Sequence, residues 1–179
     1  MNTTRMRRAP KWDVSKVTVS LVIRGYGTTN QELLLVDKLE GIIVGKTTEP
    51  GGVVESTDKN VVSAANRELF EEMNLIAHDA EKFAEVTIRI RDKRREIILH
   101  AIRCLSWTGE LKNKDPKLAN ERFEMILNLP YALMPGGDEQ WLRPVVEEGL
   151  YCKAYIYCGN DRNDVLKKPI VRTYKKSPF

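Results

Sequence analysis

Apolar and polar positions along the 179-residue chain change period several times, and each change marks an element. Residues 16–23, Lys-Val-Thr-Val-Ser-Leu-Val-Ile, are rich in β-branched side chains and predict a strand. Leu33–Val36 predicts a second, joined to the first through the turn residues Gly25–Asn30, a connection short enough for antiparallel pairing. Apolar alternation in Phe83–Ile90 and Glu96–Trp107, across the charged turn Arg91–Arg95, predicts a long antiparallel hairpin. Residues 108–122 read as a polar loop suited to a mobile, substrate-facing segment. Phe123–Pro130 and Tyr151–Cys158 predict two further strands, the latter closed by Gly159-Asn160-Asp161.

Between these segments the period lengthens to that of a helix. Val62, Ala65, Leu69 and Met73 form one apolar stripe, Thr57 and Asp58 offer caps for its start, and Asn74 suits a left-handed terminator. A second helix is predicted over Glu139–Gly149, capped by Asp138 and ended by Gly149. Strand and helix order alone gives an α+β class. The first helix carries Arg67-Glu68-Leu69-Phe70-Glu71-Glu72, so that Glu68, Glu71 and Glu72 crowd one face, with Arg67 one turn from Glu71. Like charges at those spacings oppose a helix by roughly 0.2–0.5 kcal/mol per pair. One reading is a solvated acidic face; the other is a hard divalent cation, Mg²⁺ or Mn²⁺, held through carboxylate oxygens. Pro50-Gly51-Gly52 directly before the helix favours the second, because paired glycines allow close backbone approach to phosphate or metal.

Composition narrows the class without deciding it. Hydrophobic residues at 42% suit a folded domain, and a net charge of +4 favours anionic ligands only weakly. The basic excess is largely terminal: Arg5, Arg7, Arg8 and Lys11 lead, and Lys167, Lys168, Arg172, Lys175 and Lys176 trail. Such ends read as solvated tails, with RNA contact as the alternative. Cys104, Cys152 and Cys158 have no CxxC spacing and read as buried free thiols, which suits a reducing cytoplasm. No run of 18 apolar residues exists and the first ten residues lack a hydrophobic signal core, so no membrane association is expected. The expected division is a lead-in over 1–14, one domain over 15–172 and a basic tail over 173–179.

Gly52, Arg67, Glu68, Leu69, Glu71, Glu72 and Leu75 stand in the order of a known signature, and the chain resembles the Nudix hydrolases through them. Two departures stand out. The Gly52–Arg67 segment is one residue longer than the family pattern, leaving Asp58 in the place of the loop glutamate, and Asn74 replaces the closing glycine. Met134, Asp138, Trp141, Tyr155, Tyr157, Gly159 and Asp161 further resemble the animal-type MutT homologues, which hydrolyse oxidised purine nucleoside triphosphates. In that subfamily two adjacent aspartates read the purine edge; here the first position is Gly137 and the second Asp138, while a stacking tryptophan is replaced by Pro135. A plain helix cap is the alternative role for Asp138.

The resemblance implies a Nudix fold, an α/β/α sandwich with a mixed sheet between the signature helix and a C-terminal helix. It also implies a nucleotide substrate. Glu68 and Glu72 become the principal metal ligands, with Glu71 close by and the Gly51 carbonyl as a further donor. Arg67 orients Glu71 or another carboxylate, and Glu121 is the candidate base on the polar loop. Lys38, Thr48, Gly52, Asp138 and Trp141 are expected to contact substrate. The implied reaction is Mg²⁺-dependent hydrolysis of a nucleoside triphosphate to monophosphate and pyrophosphate. Alternatives are ADP-ribose, a dinucleoside polyphosphate or capped RNA as substrate, and a non-catalytic nucleotide-binding module. Both a monomer and a homodimer fit the sequence.

Overall fold

The computed structural model describes residues 11–179. In chain order the elements are β1 (Asp13–Arg24), β2 (Glu32–Lys38), β3 (Thr47–Thr48), α1 (Val61–Met73), β4 (Ile76–Ala77) and β5 (Glu81–Ile90). They continue with β6 (Arg95–Cys104), β7 (Trp107–Thr108), β8 (Leu118–Met125), α2 (Asp138–Glu147), β9 (Tyr151–Cys158) and β10 (Ile170–Tyr174). Eight strands form a mixed sheet in the order β10-β9-β5-β6-β1-β2-β3, with β8 on the other side of β2; β4 and β7 pair separately. The expected hairpin is present as the antiparallel β5–β6 pair, while β1–β6 and β5–β9 are parallel.

Successive residues of β1 serve two cores. Leu21 and Ile23 pack with Trp141, Leu142, Val145 and Val146 of α2, whereas Val22 packs with Leu69 and Met73 of α1. Alternation on one strand therefore places a helix on each face, and the layers are helix, sheet, helix.

β1 and β2 stay paired only at Ile23–Leu33 and Arg24–Glu32. Beyond that point they splay apart. The vacated edge of β1 is taken by the glycine loop: Ser20 N–H donates to the Pro50 carbonyl, Thr18 N–H to the Gly52 carbonyl and Val54 N–H to the Lys16 carbonyl. The splay opens the space in which the site lies.

Local chemistry explains where the helices begin and end. Asn60, not Thr57 or Asp58, caps α1, in a reciprocal capping box with Ser63. Asp58 is drawn instead to Arg67, a stronger partner than free helix N–H groups. Asn74 ends α1 at φ 60°, as expected. The buried stripe is Ala64, Ala65, Leu69 and Met73, with Val62 half-buried. The second helix starts one residue earlier than expected and Asp138 is not its cap, because its carboxylate is bonded elsewhere; Gly137, at φ 86°, holds the cap position without a side chain. Strand β1 begins inside the expected lead-in and β10 runs two residues into the expected tail. The remaining lead-in, residues 1–10 with Arg5, Arg7 and Arg8, lies outside the described residues. Residues 108–122 are not one loop: β8 starts at Leu118, since its backbone finds β2 as a partner. All three cysteines are buried and free. Among the described residues no helix is long and apolar enough to cross a membrane.

His100, on β6, is buried with neither ring nitrogen hydrogen-bonded. Burial and the nearby Lys82 charge push its pKa down to about 4, against the opposing pull of Glu85. Its neutral form therefore stabilises the fold above the unfolded-state value near 6.5, and this contribution is lost as pH falls towards 4. In denaturant titrations the wild type is expected to lose stability relative to His100→Leu by on the order of 2 kcal/mol between pH 7 and 4. Taking the difference cancels the carboxylates common to both proteins.

Candidate functional site

The site forms where the glycine loop, the inner side of α1 and the end of β2 meet. Glu72 projects inward from α1 and only 5% of its surface is exposed. Its Oε2 accepts the Gly51 N–H at 2.6 Å and its Oε1 accepts Lys38 Nζ at 3.2 Å. Lys38 Nζ also donates to the Gly51 carbonyl at 3.3 Å. Burial pushes the Glu72 pKa up to about 7, against the lowering effect of Lys38 and the Gly51 amide. Glu68 lies one turn earlier, beside Gly52, and burial raises its pKa against the neighbouring Arg67.

Arg67 is the organiser of the outer half. Its guanidinium makes a two-bonded contact with Asp58, at 3.1 and 3.0 Å, and donates to Glu68 Oε1 at 2.9 Å. It also donates to Glu71 Oε2 at 3.0 Å and to the Val53 carbonyl at 2.9 Å. The lengthened loop is thus closed by Asp58, whose pKa the Arg67 hydrogen bonds lower. Glu71, with 56% of its side chain exposed, is held by Arg67. Glu68 and Glu71 thus share one nitrogen of Arg67, while Glu72 is the buried member of the three, bonded to Lys38 and the Gly51 amide. Among the described residues no group of three or more His, Cys, Asp or Glu side chains is arranged to hold a metal ion.

What remains still suits a hard cation. Glu68, Glu72 and the Gly51 carbonyl are all oxygen donors, and the Lys38 ammonium already bridges the last two. A Mg²⁺ ion needs only one or two carboxylates, because it keeps several waters and takes substrate phosphates as further ligands. A positive group standing between two of the nominated donors is direct evidence that they suit positive charge.

Beside this cluster lies a cavity of about 170 Å³. Lys38, Gly51 and Gly52 line it on the carboxylate side, and Val17, Val19, Ile88, Ile97 and Leu99 make much of its wall. Thr48 and Asp138 also line it. Asp138 is buried, accepts Trp141 Nε1–H at 2.8 Å and pairs with the buried Arg162, which also bonds the Gly136 carbonyl.

Two expectations are corrected here. Trp141 is buried in the core and does not line the cavity; its link to the site is its bond to Asp138. Glu121 lies within β8, not on a loop, and among the described residues no hydrogen bond or ion pair joins it to the Glu68–Glu72 group. Along β8 it falls at the register shift between the Leu35–Arg122 and Asp37–Ala119 pairs with β2.

Two residues went unnoticed in the sequence. Arg162 reaches Asp138 from 24 positions away, a distance at which sequence carries no pairing signal. Glu49 is wholly buried on the cavity wall, its pKa pushed up to about 7 by burial and the charge of Asp138. A charged residue directly before Pro-Gly-Gly, where the chain must turn inward, was the available clue.

The NUDIX domain family matches residues 15–147, three-quarters of the chain, and the chain belongs to that family of hydrolases, whose members generally use divalent metal cations. Solved structures agree in fold. A MutT protein from Bacillus halodurans is 18% identical with a TM-score of 0.73, over 91% of this chain and 99% of that one. The NUDIX domain of Shewanella oneidensis NrtR, solved with ADP ribose, is 16% identical with a TM-score of 0.62, over 76% and 88%. A MutT protein from Methanosarcina mazei is 17% identical with a TM-score of 0.58, over 78% and 95%. Among curated proteins no sequence match reached significance.

The two loop glycines are tight for different reasons. A Cβ on Gly51, at φ 153°, would press into the Thr18 carbonyl and lie 2.8 Å from Val19 Cα, both backbone atoms of β1. A Cβ on Gly52 would meet first the Glu68 carboxylate, at 2.5 Å, the end of a flexible side chain. Gly51→Ala is therefore expected to lower stability by about 1–3 kcal/mol in thermal or urea unfolding. Gly52→Ala is expected to stay folded with a near-native melting curve and to bind Mn²⁺ more weakly, as read by electron paramagnetic resonance.

Proposed function

We propose that the protein is a divalent-metal-dependent pyrophosphohydrolase of nucleoside triphosphates, releasing a monophosphate and pyrophosphate. Oxidised purine nucleotides are its candidate substrates. The observation that carries this reading is continuity: Lys38, Gly51 and Gly52 line the ring-sized cavity and also form the edge of the carboxylate cluster. A nucleotide with its base in the cavity carries its phosphates towards Glu68 and Glu72. The likeness to MutT structures supports the same reading.

In this reading Glu68, Glu72 and the Gly51 carbonyl hold the metal, which when bound supplies neutralisation of charge on the phosphate oxygens. Lys38, as a compact point charge beside that cluster, holds a phosphate oxygen in place. Gly52, lacking a side chain, lets Glu68 approach the loop. Arg67 fixes Glu68 and, through Asp58, the loop itself; Glu71 is restrained by the same guanidinium. Thr48 and Asp138 serve the cavity end. The free buried thiols suit a cytoplasmic location. ADP-ribose is the second reading, favoured by the ADP-ribose-bound NrtR domain among the structural neighbours.

Pyrophosphate and monophosphate release should be followed over a panel of ordinary and oxidised nucleoside triphosphates, ADP-ribose, dinucleoside polyphosphates and capped RNA, with Mg²⁺. Turnover of a triphosphate to monophosphate is the expected result, and Glu72→Gln is expected to lower kcat by more than about 100-fold, beyond the 10–100-fold typical of residues that only support a metal ligand. Unchanged turnover by Glu72→Gln at saturating Mg²⁺ overturns the metal assignment; nucleotide binding without turnover of any substrate makes the chain a binding module.

A further inference from the structure

The basic residues that trail the chain do not all form a loose tail. Lys167, Lys168, Arg172, Lys175 and Lys176 fall in a stretch, residues 165–179, that contains no Asp or Glu. Part of that stretch is β10, which pairs antiparallel with β9 at the edge of the sheet. The pairing sets Arg172 opposite Lys153 and Ile170 opposite Tyr155.

The two faces of β9 differ. Cys152, Ala154, Ile156 and Cys158 are buried in the core that contains α2. The alternate residues Lys153, Tyr155 and Tyr157 point the other way, and there Tyr155 is 47% exposed. Among the described residues no aromatic ring or cation lies over the Tyr155 ring. With Lys153, Ile170, Arg172 and Tyr174 it lines a second cavity, of about 350 Å³. Two residues further on, Tyr157 has Lys167 Nζ 4.2 Å from its ring centre and accepts a hydrogen bond from Arg89 at 3.1 Å. Along one strand, then, an open ring has Lys153 and Arg172 to one side and Lys167 to the other. The carboxylates on the neighbouring strands of this face, Glu85 and Glu96, are each tied to a cation, Lys82 and Arg89. Lys153 bonds only the Pro178 carbonyl, and among the described residues neither Lys167 nor Arg172 has a carboxylate partner.

We propose that this open face of β9 and β10 binds a single strand of nucleic acid, one base stacking on Tyr155 and the flanking phosphates resting on Lys153, Arg172 and Lys167. It shares no lining residue with the cavity beside the carboxylate cluster, so the inference stands apart from the hydrolase reading. A single strand repeats what this face repeats: a flat π-surface for the ring and a phosphate for each neighbouring cation. A duplex keeps its base faces inside the stack and offers the ring nothing. A lipid surface calls for apolar side chains that protrude, whereas Tyr155 sits in mid-strand between β5 and β10. Stacking and charge are both indifferent to base sequence, so RNA and DNA strands are expected to bind alike.

The test is fluorescence anisotropy with labelled oligouridylate and oligothymidylate of about 12 nucleotides, a length within the range covered by one small binding domain. The full chain is used in EDTA, so that neither metal nor turnover takes part. Both strands are expected to bind at least about tenfold more tightly than a duplex of the same length at equal salt. The logarithm of the affinity is expected to fall with the logarithm of salt at a slope near −2, about 0.7 for each of the phosphates on Lys153, Lys167 and Arg172. Tyr155→Ala is expected to weaken binding at least about fivefold at an unchanged slope, the low end for a base on an aromatic ring, while Tyr155→Phe keeps the wild-type affinity. Arg172→Gln is expected to make the slope shallower by about 0.7. Should Tyr155→Ala fail to fold, Arg172→Gln, at an exposed position of the edge strand, decides alone. Equal binding of single strands and duplex, undiminished binding by folded Tyr155→Ala, or an unchanged slope in Arg172→Gln overturns the proposal. Binding to phosphatidylserine vesicles with none to either strand overturns it too, and makes the face a lipid-docking one.

Discussion

A carboxylate held out of water on the inner side of α1 sets the terms for everything around it. Isolating Glu72 from solvent costs several kcal/mol unless donors surround it, and the two that do are the Gly51 amide and the Lys38 ammonium. Both contacts restrict the chain. Gly51 donates only if the loop lies flat against β1, which excludes any side chain at that position. Lys38 arrives only because β2 leaves β1 early and carries its last residue under the helix. One buried charge therefore ties a loop, a strand and a helix to a common point.

The same separation of β1 from β2 explains why the carboxylate cluster and the cavity adjoin. Where two paired strands diverge, the intervening backbone groups need other partners, and here the glycine loop supplies them on one side. The space left over is walled by side chains of β1, β5 and β6 that would otherwise be core. Arg67 plays the complementary part at the outer rim. By holding Asp58, Glu68, Glu71 and the Val53 carbonyl together, it fastens a loop one residue longer than the family pattern to the acidic helix.

Periodicity made the strongly patterned elements legible: α1 with its Asn74 ending, the β5–β6 hairpin, and β9 to the residue. The acid-bearing helix and its glycine entry were legible too, because their signal lies in residues a few positions apart. What the sequence hid depends on distance or on competition. Thr57, Asp58 and Asn60 offer much the same capping chemistry, and only the pull of Arg67 on Asp58 decides between them. Strands β3, β4 and β7 have two residues each, too few to show any period. Glu71 looked equivalent to Glu68 and Glu72 by spacing, yet it is the exposed one of the three, while Glu72 is buried. Glu49 and Arg162 meet Asp138's neighbourhood only after the whole sheet has assembled, so no local pattern announces them.

Strands β9 and β10 lie beyond residue 147, where the family match ends, yet β9 runs parallel along the outer side of β5 over seven residue pairs. A chain cut at that point would leave β5 with a raw row of backbone donors and acceptors, an open invitation to pair with another molecule. It would also deprive Asp138 of Arg162, stranding a negative charge in the interior. For anyone preparing a shortened version of this protein, the safe trimming point at the carboxyl side therefore falls after Tyr174, well past the boundary that family likeness alone suggests.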